Sequence, residues 1–181
     1  MLDVLARTQR LSRAEYEHLA GLGEFNDQRV ELIRGRIVEM SPPGPPHVWS
    51  VNQLNMLFAA ALKGHAIVQI QGPLAISEDS EPEPDVAILE LGDYKHQLPT
   101  KALLVIEVAN SSLTKDRRDK APLYAEAGIP EYWIVNVVEE CVEVYLRPEV
   151  GIYQTVETRK GNDILHPTEL PMLEIAVSDI F

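Results

Sequence analysis

Glu81-Pro82-Glu83-Pro84-Asp85-Val86-Ala87-Ile88-Leu89 and, one connection later, Ala102-Leu103-Leu104-Val105-Ile106-Glu107-Val108-Ala109 decide how this chain folds. Each run is short, apolar and β-branched, the pattern of a strand buried on both faces. Each also carries one carboxylate. Asp85 opens the first strand directly after a proline, and Glu107 sits near the end of the second. An ionised carboxylate inside a sheet is costly unless its charge is offset, and two on neighbouring strands repel each other. A shared divalent cation resolves both problems. Mg²⁺, with Mn²⁺ as a substitute, suits one or two carboxylates and several retained waters. The alternative reading makes Asp85 a turn cap and Glu107 the partner of a lysine at a strand end.

The 181 residues, 45% hydrophobic and 24% charged, describe a single globular domain over residues 1–181. No apolar run is long enough to span a membrane and the N-terminus lacks a signal-peptide pattern, so a cytoplasmic location is expected. The single cysteine, Cys141, reads as a packing residue in a strand. The net charge of −12 opposes a nucleic-acid role, because binding rests largely on Lys and Arg at phosphates. An acidic chain can bind DNA only through a local basic patch, with metal ions offsetting its carboxylates.

Working outward from the two runs, Ser12-Arg13-Ala14-Glu15 carries a capping box and starts a short helix. Residues 29–40 alternate about Arg34-Gly35 as a β-hairpin. Glu31 within it is either an exposed hairpin carboxylate or part of a site. Ser41 to Pro46 reads as a stiff proline-rich loop, followed by a helix from about His47 to Lys63 with Val51, Leu54 and Phe58 on its apolar stripe. His47 points inward from the first turn, as a hydrogen-bonded structural histidine or toward a phosphate or metal-bound water. Residues 66–76 form a strand or bent hairpin interrupted at Gln71-Gly72-Pro73. Past Asn110-Ser111-Ser112, a helix spans about Lys115 to Ala127, kinked at Pro122 or restarted there. Residues 131–137 make another buried strand, and 140–146 and 152–158 an antiparallel pair across a Pro148–Gly151 turn. The tail from Leu170 to Phe181 reads as an edge segment. These elements give an α/β (α+β) fold: a mixed sheet flanked by helices, with an added N-terminal hairpin and C-terminal antiparallel strands.

On an α-helix Asp116, Lys120 and Tyr124 share one face, with Lys120 placed to reach back over the end of the Glu107 strand. A lysine beside two metal-binding carboxylates supplies a positive group that orients or helps deprotonate water and stabilises a pentacovalent phosphorus. Read alone, Asp116 and Lys120 are a surface pair. Lys115 and Arg117 flank that face and Arg118 points away, so a phosphate-contacting patch is expected only at this turn. Its salt-dependence slope would then lie near −2 to −3, at roughly 0.9 per contact.

Val30-Glu31-Leu32-Ile33-x-Gly35, Met40-Ser41-Pro42, Pro84-Asp85, Ile106-Glu107-Val108, the Asp116/Lys120/Tyr124 spacing and Gly128-Ile129-Pro130-Glu131-Tyr132-Trp133 resemble the Uma-type restriction endonucleases of the PD-(D/E)xK nuclease superfamily. The resemblance runs roughly from Glu24 to Tyr153. It implies a restriction-endonuclease-like core and Mg²⁺-dependent cleavage of DNA phosphodiesters, with Asp85 and Glu107 matching the metal-binding acids. The lysine expected two residues after the glutamate is Ala109 here, and Lys120 on the following helix matches the displaced lysine. The carbonyl of Val108 is a further candidate ligand, Glu31 an extension of the metal shell and Gln71 a substrate contact. A homodimer is expected from the need to cut two strands. Two other readings stand beside this one: a catalytically weak or inactive nuclease-like binding or regulatory module, and a metal-dependent hydrolase of a smaller phosphoester.

Overall fold

The computed structural model describes residues 10–181; residues 1–9, on which the signal-peptide reading rests, lie outside them. Helix α1 (Arg13–Gly21) begins with the complete capping box, Ser12 and Glu15 each satisfying the other's backbone. Strands β1 (Val30–Ile33) and β2 (Arg36–Glu39) pair antiparallel across Arg34-Gly35. Both turn residues have positive φ, 50° and 74°, as a two-residue type I′ turn requires.

Helix α2 (Pro45–Ala61) starts two residues earlier than the sequence suggested. Pro45 and Pro46 are helical rather than loop, because the first turn has no use for their missing N–H groups. The main sheet follows: β3 (Ile67–Ile70), β4 (Val86–Leu89), β5 (Leu104–Ala109), β6 (Glu131–Asn136), β7 (Cys141–Glu149) and β8 (Ile152–Lys160) lie side by side in that order. Only β5 and β6 are parallel, and a helical crossover joins them, as parallel neighbours require.

That crossover, α3, spans residues 113–126 and is not uniform. A turn of α-helix, Leu113–Lys115, runs into a π-helical stretch, Asp116–Lys120, before α-helix resumes at Ala121–Glu126. Pro122 explains the interruption. In an α-helix its ring would collide with the carbonyl four residues back, and a wider π turn relieves the clash. Gly128, at φ 71°, ends α3 with the paired bonds Ile129 N–H to Tyr124 C=O and Gly128 N–H to Ala125 C=O.

Sheet alternation divides the core in two. Val86, Ile88, Leu104, Ile106 and Val108 pack with Val51, Leu54 and Phe58 of α2. Ala87, Leu89, Val105 and Ala109 pack with Ala121, Tyr124 and Ala125 of α3. By the same alternation Glu107 faces α3. The tail differs from the expected edge segment: Ile164–Leu165 (β9) and Ile175–Ala176 (β10) form their own ribbon. Leu170, Leu173, Val177 and Ile180 then close the α2-side core. The β7–β8 turn is tighter than expected, with Val150 and Gly151 alone at positive φ. Pro148 stays in β7 because it lies beyond Leu146, the last residue paired with β6, so no neighbour needs its N–H.

Candidate active site

The antiparallel register Val86↔Ile106 and Ala87↔Val105 brings Asp85 beside Glu107 at one end of the sheet. Both line a cavity of about 280 Å³ together with His47, Gln71, Val108, Lys115, Asp116 and Lys120. The segment from β2 to α2, the end of β3, the start of β4, β5 and α3 all reach it. Asp85 accepts hydrogen bonds from the Val108 N–H at 2.9 Å, Gln71 Nε2 at 3.3 Å and His47 Nε2 at 3.1 Å. Gln71 is presented by a left-handed backbone conformation, φ 47°, that breaks β3 and aims its amide at the carboxylate. Burial works to raise the Asp85 pKa, but these three bonds outweigh it and hold the group below the usual carboxylate range. An ionised carboxylate only accepts, so His47 Nε2 carries the proton. His47 is the hydrogen-bonded histidine anticipated, although its Nδ1 is buried without a partner among the described residues.

Glu107 is held from the other side. Its Oε1 accepts from Lys120 Nζ at 2.7 Å and from the Tyr124 hydroxyl at 2.8 Å. Burial, with Asp116, Asp85 and Glu31 close by, pushes its carboxyl up to about 8 against the pull of Lys120. Burial alone would neutralise Lys120; Glu107, Glu31 and Asp116 together hold it as an ammonium.

Glu31 is not an exposed hairpin carboxylate. It is completely buried, accepting from Lys120 Nζ at 2.9 Å, Lys115 Nζ at 3.1 Å and the Glu83 N–H at 3.2 Å. The alternation expected of β1 fails because that strand is covered on both sides, and all four of its residues are buried. Asp116 and Lys120 are likewise no surface pair. Both are buried, and Asp116 accepts from the Ser112 hydroxyl at 2.6 Å. Ser112 escaped the sequence reading, although its place in a capping-rich turn was a usable signal.

The π turn also corrects the basic residues. Angular placement at α-helical spacing put Arg117 beside the site and Arg118 away from it. Instead Arg117 is committed to Glu143 on β7 in a bidentate pair. Arg118 opens beside Lys115, on the side facing the hairpin.

Asp85 and Glu107 offer oxygen donors to one cavity, with four carboxylates and three Lys or Arg side chains on its walls. Among the described residues no group of three His, Cys, Asp or Glu side chains comes together as metal ligands. Asp85 and Glu107 by themselves are the kind of donor pair that a hard ion takes while keeping most of its waters.

The family model described as "Putative restriction endonuclease" (Uma2) matches residues 13–178. No curated protein gives a match. A crystal structure described as a "putative nuclease" from Anabaena variabilis superposes with a TM-score of 0.72 at 18% identity, covering 86% of this chain and 90% of that one. At that identity the likeness speaks for the fold: a mixed sheet flanked by helices, shared with a nuclease-like structure. With nearly its whole length matched by the family model, the chain belongs to the Uma2 restriction endonuclease family.

Proposed function

We propose that this member of the restriction endonuclease family is a divalent-metal-dependent endonuclease that hydrolyses DNA phosphodiesters in the cavity over Asp85 and Glu107. One observation carries the reading: two carboxylates on neighbouring strands share a cavity with a buried lysine that is bonded to one of them. Asp85 and Glu107 would hold the ion, with the Val108 carbonyl as a third candidate donor. A bound Mg²⁺ would lower the pKa of a coordinated water and offset charge on the scissile phosphate.

The chain's own residues supply the rest. Asp85 stays ionised under its three hydrogen bonds and is ready to accept a cation without first losing a proton. Gln71, His47 and the Val108 N–H keep its carboxylate from rotating. Lys120, held as an ammonium, is not a base; it donates, and it contributes fixed positive charge where negative charge develops. Tyr124 keeps Glu107 turned toward the cavity. Glu31 sits behind Lys120 and holds its Nζ in place, so it is better described as positioning the lysine than as binding the ion. A homodimer belongs to the proposal because two strands require two such cavities.

The test is cleavage of a labelled DNA duplex in Mg²⁺ by wild type, Asp85→Asn and Lys120→Met. Each substitution should lower single-turnover cleavage by about a hundredfold to a thousandfold, the size of effect seen when one preorganised charge or donor is lost. Duplex cleaved equally well by all three would end the assignment.

A further inference from the structure

A second cavity, of about 340 Å³, lies on the other side of Lys115 and Lys120. Its walls carry Arg10, Arg34, Arg36, Lys115, Arg118 and Lys120 against a single acid, Asp119. Six of the chain's 16 Lys and Arg residues thus meet in one place, in a protein of net charge −12. Six cations around one acid make a local positive patch on an otherwise acidic chain.

The cations are also unequally engaged. Lys120 is spent on Glu107 and Glu31, Lys115 on Glu31, and Arg34 on Glu126. Arg10, Arg36 and Arg118 are exposed and have no ion-pair partner among the described residues. The hairpin tip that carries Arg34 and Arg36 is nevertheless fixed. The Gly35 N–H donates to Asp79, the Arg34 N–H to Ser80 Oγ, and Leu11 N–H to the Gly35 carbonyl. A Cβ at Gly35 would lie 2.8 Å from that of Arg10, so only glycine lets Arg10 pack over the turn. The arginines are therefore presented on a rigid frame. Lys115 and Lys120 line both this cavity and the acidic one, so the two adjoin.

We propose that this cavity docks the sugar–phosphate backbone of the strand whose scissile phosphate enters the acidic cavity, with Arg10, Arg36 and Arg118 as direct phosphate contacts. The ligand rests on the nuclease reading, whereas the site itself rests on the charge and geometry above. Arg guanidinium groups fork onto phosphate oxygens bidentately, and one fixed turn brings three of them together from distant parts of the chain. The salt dependence should therefore match the steep end of what a patch confined to one helical turn would give, and exceed it once Arg34 and Lys115 engage.

The experiment titrates a labelled DNA duplex with the full chain in Ca²⁺ over a salt series. At roughly 0.9 per contact, the wild-type slope of log affinity against log salt should fall between about −2.7 and −4.5, three contacts if only the unpaired arginines engage and five if Arg34 and Lys115 join. Arg36→Ala and Arg118→Ala should each reduce it by about 0.9, an affinity loss of about eightfold at about 0.1 M salt. Arg118→Lys should keep the slope, and Arg117→Ala should not move it. Inorganic pyrophosphate, added at matched ionic strength in a Ca²⁺-free arm because it precipitates with Ca²⁺, should compete weakly. Complete displacement by pyrophosphate would mean a small-anion pocket and overturn the proposal. So would a wild-type slope in both arginine variants, or no duplex binding at low salt. Hydrolysis of bis(4-nitrophenyl) phosphate, too small to reach the arginines, is read in parallel. Normal hydrolysis with unchanged slopes sinks the docking site alone. Slope losses in a protein that hydrolyses nothing sink the nuclease reading alone.

Discussion

The cavity over Asp85 and Glu107 and the cavity over Arg34 and Arg36 share Lys115 and Lys120 as a common wall, yet four carboxylates line the first and one lines the second. In the acidic cavity Asp85, Glu107, Asp116 and Lys120 are buried and answered within the protein: Lys120 is 2% exposed and bonded to two carboxylates. In the basic cavity Arg10, Arg36 and Arg118 are exposed and have no ion-pair partner among the described residues. Charge that is buried and paired is part of the fold, since removing one member strands the other. Charge that is exposed and unpaired contributes little to the fold and is available to a ligand. Basic side chains on adjoining walls therefore have opposite consequences for stability and for binding.

The largest contrast should appear in stability. Lys120→Met would leave Glu31 and Glu107 buried without their shared ammonium, at a cost of about 3–5 kcal/mol. Urea unfolding of the metal-free variant measures it, and a loss below about 1 kcal/mol would mean that this charge is not part of the fold.

A smaller effect concerns pH. Glu107 is pushed up to about 8 and Glu81, buried and hydrogen-bonded beside Glu17, to about 7. Between about pH 4.5 and 8 the folded protein thus holds protons that the unfolded chain has released, so stability falls as pH rises through this window. The thermal midpoint of the metal-free protein should decline from pH 5 to pH 8, and Glu107→Gln should flatten much of that decline. A midpoint that instead climbs across the window would contradict the described burial of both groups. Below about pH 4 the sign reverses, because Asp85 and Glu31 are held low and lose their contribution as they are protonated.

The smallest effect belongs to the basic cavity. Arg118→Ala should change unfolding free energy by no more than about 0.5 kcal/mol, as for an exposed side chain with no special role. A larger loss would mean that Arg118 is tied into the fold as Lys120 is.

The same division explains what the sequence made legible. Asp85 and Glu107 stood out because each is a lone carboxylate in an apolar run, and sheet register alone then brings them together. Lys120 and Tyr124 followed from helical spacing. Glu31 was ambiguous, since alternation cannot tell a hairpin open on one face from one that α3 and the segment before β4 enclose. Arg117 and Arg118 exchanged places because Pro122 widens one turn of α3, and a fixed angle per residue does not allow for that. Arg10, Arg34 and Arg36 had no local signal. Each is an unremarkable surface arginine until the hairpin packs beside a helix some eighty residues further along the chain.

Metal binding tests the central claim most directly. Calorimetric titration with Mn²⁺ should show saturable binding to wild type near neutral pH. Asp85→Asn and Glu107→Gln should each lose most of that affinity, while Arg36→Ala should bind as wild type does. Unchanged Mn²⁺ affinity in both carboxylate variants, or no binding by wild type, would contradict the assignment of this cavity as a divalent-metal site.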